Sequence, residues 1–178
     1  ASAAVFVTQL EQPIPAAKRG LEIARAAGVT TILNPAPAAT LSDDILALCD
    51  YVTPNESETE SLTGLPVTTV AEAEAAADAL LAKGVGAVII TLGDKGALYR
   101  DRTRSVHVPG ISAGPGGETT GAGDAFNGGF AVALSEGRDV VEAVRFGCAT
   151  AGISVTRAGT APSMPSRTEI ETLLAKGA

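Results

Sequence analysis

A layered α/β fold built on a mostly parallel sheet is what this sequence predicts, on three observations. Short β-branched runs alternate with Ala-rich segments of helical periodicity, the pattern of parallel strands covered by helices. Pro and Gly fall at the joints between these segments and not inside them. Hydrophobic residues make up 46% of the chain but aromatics only 3%, with no Trp, so the core must be aliphatic, which suits α/β packing. At 178 residues the chain has the length of a single compact domain.

The elements follow in order. Residues 5–9 read as a strand, 14–27 as a helix and 30–33 as the next strand. Ser42 caps a short helix running toward Leu48, and residues 51–53 form a strand that Pro54 halts. Residues 70–83 are an Ala-rich helix ended by Gly84; its AEAEAAADALLA stretch is biased in composition but amphipathic in spacing. Residues 87–91 are an uninterrupted apolar strand. Residues 97–100 and 103–108 alternate around a polar turn, as an antiparallel hairpin at one side of the sheet does. A Gly- and Pro-rich loop over residues 109–117 leads to three helices, 122–135, 140–155 and 167–176. No internal repeat and no interdomain linker interrupts the series.

Thirteen basic and 20 acidic residues give a net charge of −7, which argues against a nucleic-acid or anionic-membrane partner. Any bound phosphates must then be held by local geometry. Cys49 and Cys148 lie far apart in apolar settings and form no C-x-x-C pair or ligand cluster with the lone His107, so both read as buried free thiols in a reducing compartment. His107 sits in an alternating segment and reads as an exposed strand residue. No run reaches the length of a membrane span and no signal-peptide pattern is present, so the expected location is the cytoplasm.

The chemistry concentrates in ETTGAGDAFNG, residues 118–128. If Gly121, Ala122 and Gly123 form the first turn of a helix, their N–H groups converge on one point where the helix dipole favours negative charge. Asp124 follows at once. A carboxylate beside anion-binding amides serves best as a base toward an incoming hydroxyl. A plain helix start with an Asp near its N-terminus fits the same residues. Gly116 and Gly121 have Walker A spacing, but Ala122 and Gly123 stand where Lys and Ser/Thr are required, and no Rossmann fingerprint follows a strand. Two further segments follow strands, where open α/β sheets bind ligands. In TPNESE the spacing of Asn55 and Glu58 puts an amide and a carboxylate on one side of a helical turn, suited to Mg²⁺ through water or to a capping box. The glycines of TLGDKG allow backbone to approach a ligand, or simply a β-turn.

ETTGAGDAFNG resembles the signature D-T-T-G-A-G-D of the ribokinase, or phosphofructokinase-B, family of sugar kinases. VTQLEQP near the start, LNPAPA at Leu33, TPNESE at Thr53 and TLGDKG at Thr91 agree with that family in order and spacing. The resemblance implies a ribokinase-like three-layer α/β/α fold and an ATP-dependent kinase that phosphorylates a sugar hydroxymethyl group, with the 5-hydroxyl of D-ribose favoured over fructose or a nucleoside. It makes Asp124 the base and Gly121, Ala122 and Gly123 the amides that stabilise the transferring phosphoryl group. It assigns Asn55 and Glu58 to Mg²⁺ and phosphate organisation, residues Thr91, Leu92, Gly93, Asp94, Lys95 and Gly96 to the ATP loop, and Cys148 to packing beside adenine. Glu11 becomes a sugar-hydroxyl contact, although as a bare residue it reads as a solvated carboxylate. A K⁺ loop is implied at Glu118, Thr120, Ser154, Arg157, Gly159 and Ser163, with Glu118 one methylene longer than the family's usual Asp.

Against the same family, the Gly-rich sugar-binding segment and small β-sheet lid that precede the position of Val5 are not recognisable. The expectation is a single C-terminal, nucleotide-binding portion spanning residues 1–178, with N-terminal strands and lid not present in this chain. A nucleotide-binding module without turnover is the alternative function. A homodimer formed through the lid is expected only where a lid exists.

Overall fold

The computed structural model describes residues 2–176, which divide into two compact units. The first, residues 2–92 and 98–107, carries the sheet. Strand β1 (Val5–Thr8) leads through helix α1 (Ile14–Ala26) to β2 (Thr30–Leu33), then through α2 (Asp43–Leu46) to β3 (Tyr51–Val52). Helices α3 (Glu56–Thr63) and α4 (Val70–Ala82) precede β4 (Ala87–Thr91), and β5 (Ala97–Arg100) and β6 (Ser105–Val108) close the series. The strands lie side by side in chain order, β1 to β6. β1 to β4 are parallel, with Val5 opposite Thr30, Leu33 opposite Val52 and Val52 opposite Val88. Helical crossovers make this possible, because a parallel neighbour needs a return path of a dozen or more residues. β5 and β6 are joined by a tight turn in which the Asp101 carboxylate accepts from the Thr103 and Arg104 N–H groups at 2.7 and 2.9 Å, so they run antiparallel.

The expected α/β class is therefore the observed one, and the aliphatic composition explains the core. Leu33, Val52, Val88, Ile90 and Leu98 pack with Leu21 of α1 and with Ala73, Ala76, Ala77 and Leu80 of α4. Ile32 and Ile89, on the alternate positions of their strands, are also fully buried. Burial on both faces is why β4 reads as an unbroken apolar run. Cys49 is buried in the same core, and its burial pushes the thiol up to about 12. His107 is exposed on β6, as expected.

Most element ends coincide with the sequence reading, and the others differ by a residue or two, the usual fraying of boundaries. Strand 5–9 ends at Thr8, strand 51–53 at Val52, helix 70–83 at Ala82, and strand 103–108 begins at Ser105. The larger difference is α3. TPNESE reads as a helix start; the helix runs eight residues and stops at Gly64, whose φ of 73° is the left-handed conformation of a C-terminal stop.

The second unit comprises Gly93–Ala97 and residues 108–176. It is helical: α5 (Ala122–Ser135), α6 (Val140–Ser154) and α7 (Arg167–Lys176). Glycines bring α5 and α6 into close contact, since a Cβ at Gly129 would lie 2.3 Å from Thr150 Oγ1 and one at Gly147 2.9 Å from the Phe126 ring. Phe130 and Phe146 are fully enclosed there.

Candidate functional site

In the first unit, the residues singled out from sequence gather at the carboxyl ends of the parallel strands. Asn55, just after β3, caps α3 through a true capping box. Its Oδ1 accepts from the Glu58 N–H at 2.8 Å, and Glu58 Oε2 accepts from the Asn55 N–H at 2.9 Å. Asn55 also bridges Thr91 at the end of β4, where the Thr91 N–H donates to the Pro54 carbonyl at 2.9 Å. The start of α3 and the end of β4 are thus one fixed corner. Glu58 is buried at 9% exposure, and burial pushes its carboxyl above the ordinary value against the opposing bond from Asn55. One accepted hydrogen bond leaves a carboxylate with further acceptor capacity, so this corner is chemically fit for a hydrated Mg²⁺. Glu11, beyond β1, is exposed, and Leu92 is buried. Asn34, at the end of β2 in the LNPAPA segment, is a buried polar residue at the same edge that sequence reasoning passed over. Its signal was an amide directly after an apolar strand and before a proline.

The raised carboxyl of Glu58 has a definite pH consequence. The unfolded chain loses this proton at lower pH than the folded chain, so stability falls as pH rises from about 4.5 through the folded value and stays lowered above it. Glu58→Gln keeps the capping box and removes the titration. Chemical denaturation at pH 4 and pH 7 is expected to show the variant gaining on the parent at the higher pH.

In the second unit, Gly93–Lys95 form a single 3₁₀ turn closed by the Gly96 N–H on the Gly93 carbonyl at 3.2 Å. Gly96, at φ 98°, packs backbone to backbone with residues 108–110. Downstream, Gly121 is the left-handed N-cap of α5, at φ 80°, and Asp124 stands at the third helical position, exposed. The turn differs from expectation in one donor. The Ala122 N–H is directed to the Thr119 carbonyl at 3.1 Å, while the helical ladder begins with Ala125 N–H to Gly121 O at 2.9 Å. Gly123 remains the informative position: it is exposed, and a Cβ there would meet nothing within 4 Å. Packing within the protein does not require glycine there, and a helical glycine is about 1 kcal/mol less favourable than Ala. Space kept open above a helical N-terminus is space for an anionic ligand to reach the backbone.

The residues assigned to a monovalent cation gather in this unit around the end of α6. Glu118 N–H donates to the Val155 carbonyl at 3.3 Å, and its Oε2 accepts from the Gly159 N–H at 3.3 Å. The Arg157 N–H donates to the Ser154 carbonyl at 3.1 Å, and the Ser163 hydroxyl to the Thr160 carbonyl at 2.6 Å. The Arg157 guanidinium pairs with Glu169, so any part it plays at a cation is through its backbone. Thr120 is exposed beside the α5 turn. Among the described residues no three His, Cys, Asp or Glu side chains cluster as metal ligands. Cys148 is buried in α6, its thiol pushed up to about 12, which suits packing and not nucleophilic chemistry.

One depression of about 400 Å³, lined by Thr30, Asp50, Tyr51, Ala87, Tyr99 and Asp101, lies at the amino ends of β2 to β4, the opposite edge from the corner of Asn55 and Glu58. No described helix is long and apolar enough to cross a membrane.

Residues 2–167 match the model of the pfkB family carbohydrate kinases. The chain is 44% identical over 164 residues to a ribokinase of Haemophilus influenzae, covering 92% of this chain and 53% of that protein. It is 41% identical over 163 residues to a deoxyribokinase of Salmonella typhi, covering 91% and 53%. Among solved structures it resembles the Arabidopsis thaliana ribokinase complexed with ribose and ATP, at TM-score 0.93 and 33% identity, over 97% of this chain and 56% of that one. It also resembles the Thermotoga maritima ribokinase, at TM-score 0.85 and 43% identity, over 96% and 56%. The chain spans about half the length of the curated relatives it matches.

Proposed function

This chain belongs to the pfkB family of carbohydrate kinases, and we propose that it carries the nucleotide-binding and catalytic portion of a ribokinase. The reaction is in-line transfer of the γ-phosphoryl of ATP to the 5-hydroxyl of D-ribose. A bond forms between the sugar oxygen and γ-phosphorus, the bond from γ-phosphorus to the ADP oxygen breaks, and the hydroxyl proton passes to the Asp124 carboxylate. Exposed Gly123, with its unobstructed backbone at the start of α5, is the observation that carries this reading. Its amide is placed to stabilise charge on the transferring group, with the flanking Gly121 setting the turn. Bound Mg²⁺ supplies neutralisation of the phosphate charge. Asn55 and Glu58 would hold it through water, and the loop of Glu118, Ser154, Gly159 and Ser163 would take K⁺ largely on backbone oxygens. Thr91 to Gly96 line the nucleotide, Cys148 packs by adenine, and Glu11 binds a sugar hydroxyl.

ADP release by this chain with Mg²⁺-ATP, K⁺ and D-ribose tests the proposal, with 2-deoxy-D-ribose, fructose and a no-sugar control in parallel. Ribose-dependent release supports it. Release favouring 2-deoxyribose redirects the substrate, as the deoxyribokinase relative suggests. Mg²⁺-ADP binding without release under any sugar favours a nucleotide-binding module, and no nucleotide binding at all rejects the reading.

The open position at Gly123 gives a prediction with opposite signs for stability and function. Gly123→Ala fits without a clash and is expected to stabilise the free protein by roughly 0.5–1 kcal/mol. The added methyl occupies the approach to the amide, so Mg²⁺-ATP should bind more weakly or turn over more slowly. Thermal unfolding and calorimetric titration of the same sample check both signs.

A further inference from the structure

Asn127 has no role in any of the chemistry above, yet it is a buried amide in the middle of an apolar helix face. It is 6% exposed, between Phe126 and Phe130 in sequence and one turn beyond Asp124. Asn is a poor residue for a helix interior, because its side chain competes for backbone groups and Ala would serve the helix better. Its Nδ2 donates to the Gly123 carbonyl at 2.9 Å. That carbonyl belongs to the peptide group whose N–H is contributed by Asp124.

The turn that receives this bond is weakly restrained by its own sequence. Gly121 and Gly123 bring glycine's conformational freedom to two of its positions, and the Ala122 N–H is directed outward to Thr119. A second donor on the Gly123 carbonyl fixes the plane of the Gly123–Asp124 peptide. It also polarises that peptide, strengthening its N–H as a donor. The bond is made from the buried side, so it leaves the exposed face of the turn clear for ligand.

We propose that Asn127 is a positioning residue, whose side-chain amide clamps the Gly123–Asp124 peptide and so holds the Asp124 turn in its ligand-ready geometry. The functional part of this inference rests on the kinase reading of that turn. The clamp itself is a property of the free chain and is measurable without turnover.

The test compares the parent with Asn127→Ala and Asn127→Ser, since a serine hydroxyl can donate to the carbonyl four residues back. Amide hydrogen exchange is read at Ala125, which makes the first ladder bond, and at Ala133 farther along α5, together with calorimetric Mg²⁺-ADP affinity. Helix propensity alone predicts that Ala protects the turn. The clamp predicts the reverse: Ala raises exchange at Ala125 by about five- to tenfold, the worth of one such hydrogen bond, leaves Ala133 unchanged, and weakens ADP binding, while Ser restores both. Should the Ala variant not fold, Asn127→Cys, similar in size to Ser but a weak donor, replaces it in the comparison. Exchange at Ala125 equal to the parent's in the variant that lacks the donor overturns the clamp. Faster exchange at Ala125 in the variant, together with a parent that binds no ADP, upholds the clamp and rejects the kinase reading instead.

Discussion

Asp124→Asn is expected to reduce sugar-dependent ADP release by roughly 10²- to 10⁴-fold while leaving nucleotide binding intact or slightly tighter. The two substituents are nearly isosteric, and Asp124 is exposed, so the change disturbs little packing. What it removes is a group able to take a proton from the attacking hydroxyl. It also removes a negative charge from the start of α5, where the helix dipole and the turn amides favour an anion, and the nucleotide phosphates gain from that. Loss of fold would depress binding and turnover together, so the split between them identifies the chemical role. Turnover by the variant equal to the parent's would take Asp124 out of the base role.

The fold was legible wherever one periodicity dominated. β4 is apolar without a break because both its faces are buried, and α4 is Ala-rich because it lies close on the sheet core; each left a plain trace in the sequence. Helix α3 was harder to read, because ESETESLT has little apolar periodicity and is held by a capping box at one end and Gly64 at the other. The turn at Gly121 to Asp124 was legible as a helical N-terminus, since glycine and aspartate crowd there for reasons of backbone geometry. The diversion of the Ala122 N–H to Thr119 was not, because a hydrogen bond between neighbouring main-chain groups leaves no mark on residue type. Asn127 and Asn34 went unread for a related reason. An isolated amide in an apolar run has no spacing partner, and only its burial and its contacts in three dimensions give it weight.

The contact between the turn at Gly93–Lys95 and residues 108–110 makes the second large prediction, at Gly96. Two constraints meet at this residue. Its φ of 98° lies in the region L side chains rarely adopt, and a Cβ built on it would fall 2.0 Å from the Val108 carbonyl oxygen and 2.5 Å from the Gly110 nitrogen. Gly110 meets the same turn from the other side, its own Cβ position being 2.0 Å from the Asp94 carbonyl oxygen. The neighbours are main chain, so no side-chain rotation can relieve the overlap. Gly96→Ala is therefore expected to lose about 3 kcal/mol of stability, from the strained φ together with forced separation of the two segments. Gly93→Ala separates these causes: it shares a positive φ, at 60°, but its Cβ would meet nothing within 4 Å, so only the conformational part should appear, about 1 kcal/mol. Urea unfolding of both variants measures the difference, and equal losses would show that the close backbone approach contributes nothing. Because Asp94 and Lys95 ride on this turn, the segment pressed apart in Gly96→Ala is the proposed nucleotide loop itself. Its Mg²⁺-ADP affinity should accordingly fall in Gly96→Ala under conditions where the chain is still folded, and fall less in Gly93→Ala.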